Sequence, residues 1–150
     1  MTDDGRRWVA DRRAAILAEA EAIGIDEAYI ARLVEAFYAK IRADALIGPV
    51  FERAIDADRW PGHLATMKSF WASVAFNAGS YSGKPVLVHK RLPGLEHRHF
   101  ERWLGLFSET LIETAPTDEA VVYLMSRAER IAESLKAAVD YVPHPRLLSA

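Results

Sequence analysis

Four side chains that could bind a metal ion or donate a hydrogen bond occur in stretches of sequence that are otherwise apolar. They are Tyr38, His63, His89 and Trp103. A neutral imidazole can coordinate a metal ion, and a phenol hydroxyl or an indole N–H can donate to a bound ligand. Taken singly, each of them is more often a satisfied core or border residue. A buried polar group without a partner costs about 1–3 kcal/mol, so the four together indicate a partner that they share.

The elements that would position these residues are predicted to be helices, because apolar residues recur every three or four positions along most of the chain. A first helix is expected over residues 6–23 and can end at Gly24, since glycine readily adopts the backbone conformation that closes a helix. Asp26 is a suitable N-cap for a second helix. Tyr38 borders the apolar stripe of that second helix.

The next helix should carry the first histidine of the set. Residues 44–57 contain a glycine–proline pair and predict short irregular turns. A third helix is expected to begin near Asp58, since Pro61 is tolerated only in the first turn of a helix. His63 is in register with the apolar residues of this helix, so its ring should point inward.

The second half of the chain repeats the helical pattern. His89 lies in a short helical segment that starts near Pro85, and a fourth long helix over residues 96–114 carries Trp103. Thr117 can cap a last helix. No run of residues alternates with a period of two for long enough to indicate a strand. The sequence therefore predicts a single all-α domain.

Composition excludes several classes of function. A chain of 150 residues suits one domain, and its 19 basic and 21 acidic residues give a net charge of −2, which favours neither nucleic acid nor a membrane surface as a partner. The sequence has no cysteine, which excludes disulfides, thiolate metal sites and covalently attached haem. It has no apolar run of 18 residues and no signal-peptide pattern at its start, so we expect a cytoplasmic protein with no membrane span.

Other site chemistries fit the sequence less well. His97 and His99 could suggest a zinc pair, but residues two apart on a helix point to different faces, so a solvated surface is the simpler interpretation. There is no H-E-x-x-H motif, no glycine-rich phosphate loop and no serine elbow. Most of the aromatic residues lie between Phe37 and Phe107. Such a density favours a flat apolar ligand over a polar one.

Four stretches of the chain, taken in order and spacing, resemble the truncated haemoglobins and specifically their third group. They are FYAKIRADALIGPVF (37–51), HLATMKSFWASV (63–74), GSYSGKPVLVH (79–89) and HFERWLGLF (99–107). The resemblance, which runs from about Asp26 to Val142, implies a globin-like two-over-two α-helical sandwich around haem b. The first helix expected from the apolar pattern would then be an extra N-terminal helix. The resemblance divides the chain into a helical extension (1–25), a truncated globin domain (26–142) and a C-terminal tail (143–150).

The resemblance also implies a role for each polar residue. His89 would be the proximal ligand of the haem iron. Tyr38 and Trp103 would be donors on the distal side, and His63 would be a distal histidine able to move as a gate. Phe51 would stack against the haem. The remaining pocket residues would be Met67, Phe70 and Trp71.

Basic residues beside the proximal segment are the candidates for pairing with the two haem propionates. Lys84, Lys90 and Arg91 flank His89 on its two sides. The alternative interpretation is that these three are ordinary surface charges.

The family implies reversible binding of O₂ and other diatomic gases such as CO and NO, with oxygen transport as the simplest role. A carrier must release O₂ readily, whereas a pocket with three donors should retain it. This polarity favours a further activity, such as NO dioxygenation or peroxidase-like detoxification of reactive species. The chain shows no flavin or nicotinamide domain, so turnover would need a separate reductase. Two alternatives stay open: a cofactor-free all-α interaction module, and a haem-based gas sensor that signals through its N-terminal extension.

Overall fold

Every regular element in the described part of the chain is helical, as the apolar periodicity predicts. The computed structural model describes residues 3–76 and 95–140. A single 3₁₀ turn, Ala57–Arg59, separates the third and fourth α-helices. The α-helices are α1 (Asp3–Ala22), α2 (Glu27–Ala43), α3 (Gly48–Ala54), α4 (Trp60–Phe76), α5 (His97–Thr114) and α6 (Asp118–Asp140). No helix among these described residues is both long enough and apolar enough to cross a bilayer.

Two helix pairs form the body of the fold. Helix α2 packs on α4, α5 packs on α6, and the pairs meet where α2 contacts α5. Helix α1 packs on the outside of α4. This arrangement confirms the all-α globin-like sandwich and the extra N-terminal helix. Its centre is a set of side chains that are almost completely buried, and burying each contributes about 1.5–3 kcal/mol; they include Leu33, Phe37, Phe107, Leu111 and Leu124.

The junction between α1 and α2 forms as its residue types predict. Gly24 has a positive φ of 93°, a conformation that favours glycine. A Cβ at this position would also lie only 2.6 Å from Pro116 Cγ. Asp26 then caps α2 by accepting a hydrogen bond from the backbone N–H of Tyr29 at 2.7 Å.

The expectation of irregular turns over residues 44–57 is wrong. Half of this segment is the regular helix α3, and the 3₁₀ turn begins at its last residue, Ala57. Pro49 lies in the first turn of α3, where its missing N–H leaves no helical bond unmade. Gly48 passes so close to the end of α2 that a Cβ there would lie 2.9 Å from the carbonyl oxygen of Arg42. The glycine–proline pair therefore starts a helix here instead of breaking one.

Asp44 organises this segment from the end of α2. Its side chain is 6% exposed and accepts hydrogen bonds of 3.0 Å from the backbone N–H groups of Leu46 and Ile47. The guanidinium of Arg102, on α5, lies 2.7 Å from the same carboxylate. Burial raises the pKa of Asp44, but Arg102 and the two backbone donors outweigh it and lower that pKa below its ordinary value.

We expect the substitution Asp44→Asn to lower the free energy of unfolding at pH 7 by about 1–2 kcal/mol, because an amide binds Arg102 and the N–H groups less strongly than a carboxylate. The pKa of Asp44 is depressed on folding, so its stabilising effect is present above the ordinary pKa of 3.8. It is lost as the pH falls through the folded-state pKa. Urea unfolding of both proteins across this range measures the difference.

The exposed Asp56 provides a matched control, because its side chain makes no capping hydrogen bond to the 3₁₀ turn that follows it. Asp56→Asn should leave the urea midpoint unchanged at every pH. Equal stability of Asp44→Asn and the wild type at pH 7 would contradict the role given to Asp44.

The last helix holds the C-terminal end of α4. Tyr123 donates from its hydroxyl to the carbonyl oxygen of Ala75 at 2.7 Å. Arg127 donates to the carbonyl oxygen of Val74 at 3.3 Å, and its guanidinium carbon lies 3.4 Å above the Tyr123 ring. These contacts use carbonyl groups in the last described turn of α4. The end of α4 is therefore fixed against α6.

Candidate functional site

Two of the predicted site residues come together where α2 faces the start of α4. The rings of Tyr38 and His63 lie edge to face, with centroids 5.2 Å apart and planes at 84°. Phe51, from α3, lies 6.0 Å from Tyr38 on another side. The sequence separates these residues widely, and the packing of α2, α3 and α4 brings them together.

Tyr38 can act as a hydrogen-bond donor over a wide pH range. Its side chain is 5% exposed. Burial raises its pKa well above the ordinary value of 10.0, because the phenolate would lose its hydration. The hydroxyl therefore keeps its proton under all physiological conditions.

Trp103 belongs to a second aromatic group, on the α5 side of the site. Its ring is parallel to that of Phe107, with centroids 5.8 Å apart, and stacks at 6.4 Å on Trp71. Phe37 contacts Trp103 at 5.5 Å and Tyr38 at 5.3 Å. A continuous set of aromatic contacts thus joins the two predicted donors, Trp103 and Tyr38.

An apolar cleft opens beside both aromatic groups. Phe51 and Trp103 contribute to its walls, together with other residues of α3, α5 and α6 and of the segments that precede α3 and α5. Trp103 is partly exposed toward this space, in contrast to the fully buried Phe107. Other residues that line the cleft are Ile47, Val50, Leu95 and Phe100. Walls of this kind can hold a flat apolar molecule.

The other predicted pocket residues, on α4, pack in or against the hydrophobic core. Trp71 is 1% exposed and stacks with Phe107 at 4.7 Å. Phe70 contacts Trp71 at 5.5 Å. Met67 and Phe70 are partly buried.

Trp60 is a member of the site that sequence reasoning missed. It is 2% exposed and lies edge to face against Tyr38 at 6.1 Å and His63 at 5.5 Å. On its outer side the guanidinium of Arg42 lies 4.3 Å from the ring centroid. The available signal was its spacing, since residues three apart on a helix share a face and Trp60 precedes His63 by three.

The prediction that His99 is a solvated surface residue is wrong. His99 is 6% exposed and lines the cleft, whereas His97 is exposed. His99 Nδ1 accepts a hydrogen bond of 3.0 Å from the backbone N–H of Glu96, which closes the first turn of α5. Within residues 3–76 and 95–140, no three or more histidine, cysteine or acidic residues form a group that could hold a metal ion.

The predicted proximal ligand lies outside the described residues. The same is true of the three basic residues proposed to pair with propionates. These four positions are His89, Lys84, Lys90 and Arg91. Their roles stay predictions from the sequence.

Comparison with known proteins places these features in context. The family model of the bacterial-like globins matches residues 20–141, so the match begins in the last turn of α1. A group 3 truncated haemoglobin of Campylobacter jejuni is 37% identical over 110 residues, which cover 72% of this chain and 86% of the relative. The crystal structure of a group III truncated haemoglobin from Campylobacter jejuni superposes with a TM-score of 0.70 at 35% identity. That superposition covers 80% of this chain and 96% of the other.

Proposed function

The chain belongs to the bacterial-like globins, among the group III truncated haemoglobins, and from this membership we propose that it binds haem b and, through it, O₂ and other diatomic gases reversibly. The observation that carries the proposal is that Tyr38 contacts His63 and is linked through Phe37 to Trp103, which lines the apolar cleft.

The residues around the cleft fit a haem group. Phe51, Phe100 and Trp103 offer flat apolar surface to a flat apolar ring. The polar groups near this surface are few and come from defined positions, which is typical of sites that bind a cofactor in one orientation. The family membership and the chemistry of the cleft walls therefore both favour haem as the bound group.

We propose His89 as the axial ligand of the iron, and the two histidines at the start of α5 support that choice. His97 is exposed, whereas the axial ligand of an enclosed haem would be a buried residue. His99 Nδ1 accepts from the backbone of Glu96, so the ring carries its proton on Nε2. A histidine binds a metal through an unprotonated nitrogen, and His99 has none available while that bond persists.

Haem supplies the iron at which a diatomic gas binds. The chain would supply the hydrogen bonds. Trp103 can only donate, through its indole N–H, whereas the protonated hydroxyl of Tyr38 can donate or accept. A ligand that has drawn negative charge is a strong acceptor, so each good donor should retain it more firmly. We propose Trp103 and Tyr38 as the main donors and His63 as the movable gate above them.

The outer edge of the haem carries two carboxylates, for which we propose Lys84, Lys90 and Arg91 as partners. A cation beside a carboxylate forms a charge-assisted hydrogen bond, and such bonds would help to fix the orientation of the group.

An oxygen titration tests the proposed function. The haem-loaded protein, reduced and free of oxygen, is exposed to O₂ in steps and then purged, while its visible absorption is recorded. We expect the spectrum to change in a saturable way and to return on purging. A spectrum that does not respond to O₂, or one that changes only through irreversible oxidation, would exclude reversible binding.

We further propose that the same site oxidises NO to nitrate with the bound O₂. The donor-rich pocket favours this second function, because slow release of O₂ suits a reaction partner better than a carrier. Each turnover leaves the iron oxidised, so a separate reductase must return one electron. We propose the cytoplasm, which the lack of cysteine favours, as the place where such a reductase is met.

Stopped-flow mixing of the oxygenated protein with NO tests this second function. We expect the oxygenated protein to convert to the ferric form much faster than it oxidises spontaneously, and nitrate to be the product. Conversion that is no faster than spontaneous oxidation would rule it out and leave the oxygen-binding proposal intact.

A further inference from the structure

Trp60 carries a hydrogen-bond donor that the fold leaves unused. Its Nε1 atom is buried and has no hydrogen-bond partner among the residues that the structure describes. Buried polar groups in native proteins are nearly always paired, so an exception calls for a partner of another kind. The rings beside Trp60 are those of Tyr38 and His63, which belong to the proposed pocket.

We propose that Trp60 is a further donor of this pocket, and that its acceptor is a small polar guest on the same side as Tyr38 and His63. The guest is either a resident water molecule or the bound diatomic ligand, since both present a small oxygen-type acceptor. This inference rests on the proposed haem function. In that proposed pocket, Trp60 would favour ligands that carry more negative charge when bound, because these accept a hydrogen bond more strongly.

The position of Trp60 suits such a role. It is the first residue of α4, one helical turn before His63. At 2% exposed, it is shielded from bulk water, which would otherwise supply the missing acceptor. A donor in a site without bulk water is electrostatically stronger than one in solution.

A cation reinforces this donor from outside. The Arg42 guanidinium lies 4.3 Å from the centroid of the Trp60 ring, and Glu52 holds it there through an ion pair of 3.0 Å. A cation over the face of an indole draws electron density from the ring. The N–H therefore becomes a better donor. Arg42 is half-exposed, so it can be replaced without opening the core.

The test compares the wild type with Trp60→Phe and Arg42→Gln, all in the haem-loaded form with CO bound. Trp60→Phe removes the N–H and keeps an aromatic ring. The infrared C–O stretching frequency reports the electrostatic potential at the ligand, and we expect it to rise in Trp60→Phe and to rise less in Arg42→Gln. Trp8→Phe, at an exposed position on α1, is the matched control and should leave the C–O stretching frequency unchanged.

The ferric protein separates the two possible acceptors. If Trp60→Phe changes the absorption spectrum of the ferric form and leaves the C–O stretch unchanged, the acceptor is water. If the stretch moves, the acceptor is the ligand. An unchanged stretch together with an unchanged ferric spectrum would overturn the proposal.

A second measurement covers the case in which Trp60→Phe does not fold. In wild-type protein labelled with ¹⁵N at its indoles, the Trp60 N–H signal is identified by its displacement in Arg42→Gln. We expect that signal to move when haem and then CO are added, and a signal that stays in place would overturn the proposal. A wild-type chain that takes up no haem would instead refute the proposed function itself.

Discussion

Replacing His89 by glycine should remove the proposed axial ligand of the haem iron and with it the wild-type visible spectrum. Glycine offers no side-chain atom to the metal and leaves a space the size of an imidazole. Free imidazole added to the solution should enter that space and restore much of the wild-type spectrum. Absorption spectra of the haem-loaded variant, recorded with and without imidazole, measure both effects.

His97→Gly provides the matched control for this experiment. His97 is exposed and begins α5, so its loss should leave the spectrum as it is in the wild type. A His89→Gly protein with unchanged colour and unchanged axial ligation would place the ligand elsewhere. The assignment of every other residue in the pocket would then fail with it.

The second large effect is expected at Trp103. Replacing it by phenylalanine keeps an aromatic ring in the stack with Phe107 and removes the indole N–H. Hydrogen bonds to charged groups contribute about 1.5–3 kcal/mol, so O₂ should dissociate about 10- to 150-fold faster. Stopped-flow displacement of O₂ by CO gives the dissociation rate directly.

Trp71→Phe separates the loss of this donor from looser packing. Trp71 stacks on the same rings, at 4.7 Å from Phe107 and 6.4 Å from Trp103, and is buried. Its replacement should disturb the aromatic group as much but change the dissociation rate far less. Equal rates for Trp103→Phe and the wild type would remove Trp103 from the proposed role.

Local residue chemistry predicted much of the fold. The cap at Asp26, the positive φ at Gly24 and the cap at Thr117 are set by neighbours in the sequence. Helix α3 could not be predicted in this way, because the carboxylate that organises its start is paired with Arg102, 58 residues further along the chain. Long-range contacts of this kind leave no local pattern.

In the site, too, local sequence predicted some features, and others depended on long-range packing. His63 was predicted to point inward from its helical register, and Tyr38 was predicted only to border the apolar stripe of α2; the structure brings their rings to 5.2 Å. His99 was predicted to be exposed because the spacing rule considers one helix alone and ignores the elements that pack against it. In the structure, His99 is buried and lines the cleft. Trp60 was not predicted as a site residue, because a tryptophan at the start of a helix usually serves only to fill the core. Its position beside Tyr38 and His63 is what identifies it.

The most direct test of the central claim is a titration of the haem-free protein with haem, followed by visible absorption. The proposal predicts a sharp end point at one haem per chain and a spectrum typical of iron with a histidine ligand. Absorbance that rises without saturation would contradict the claim, because this is the result expected when haem adheres nonspecifically to apolar surfaces.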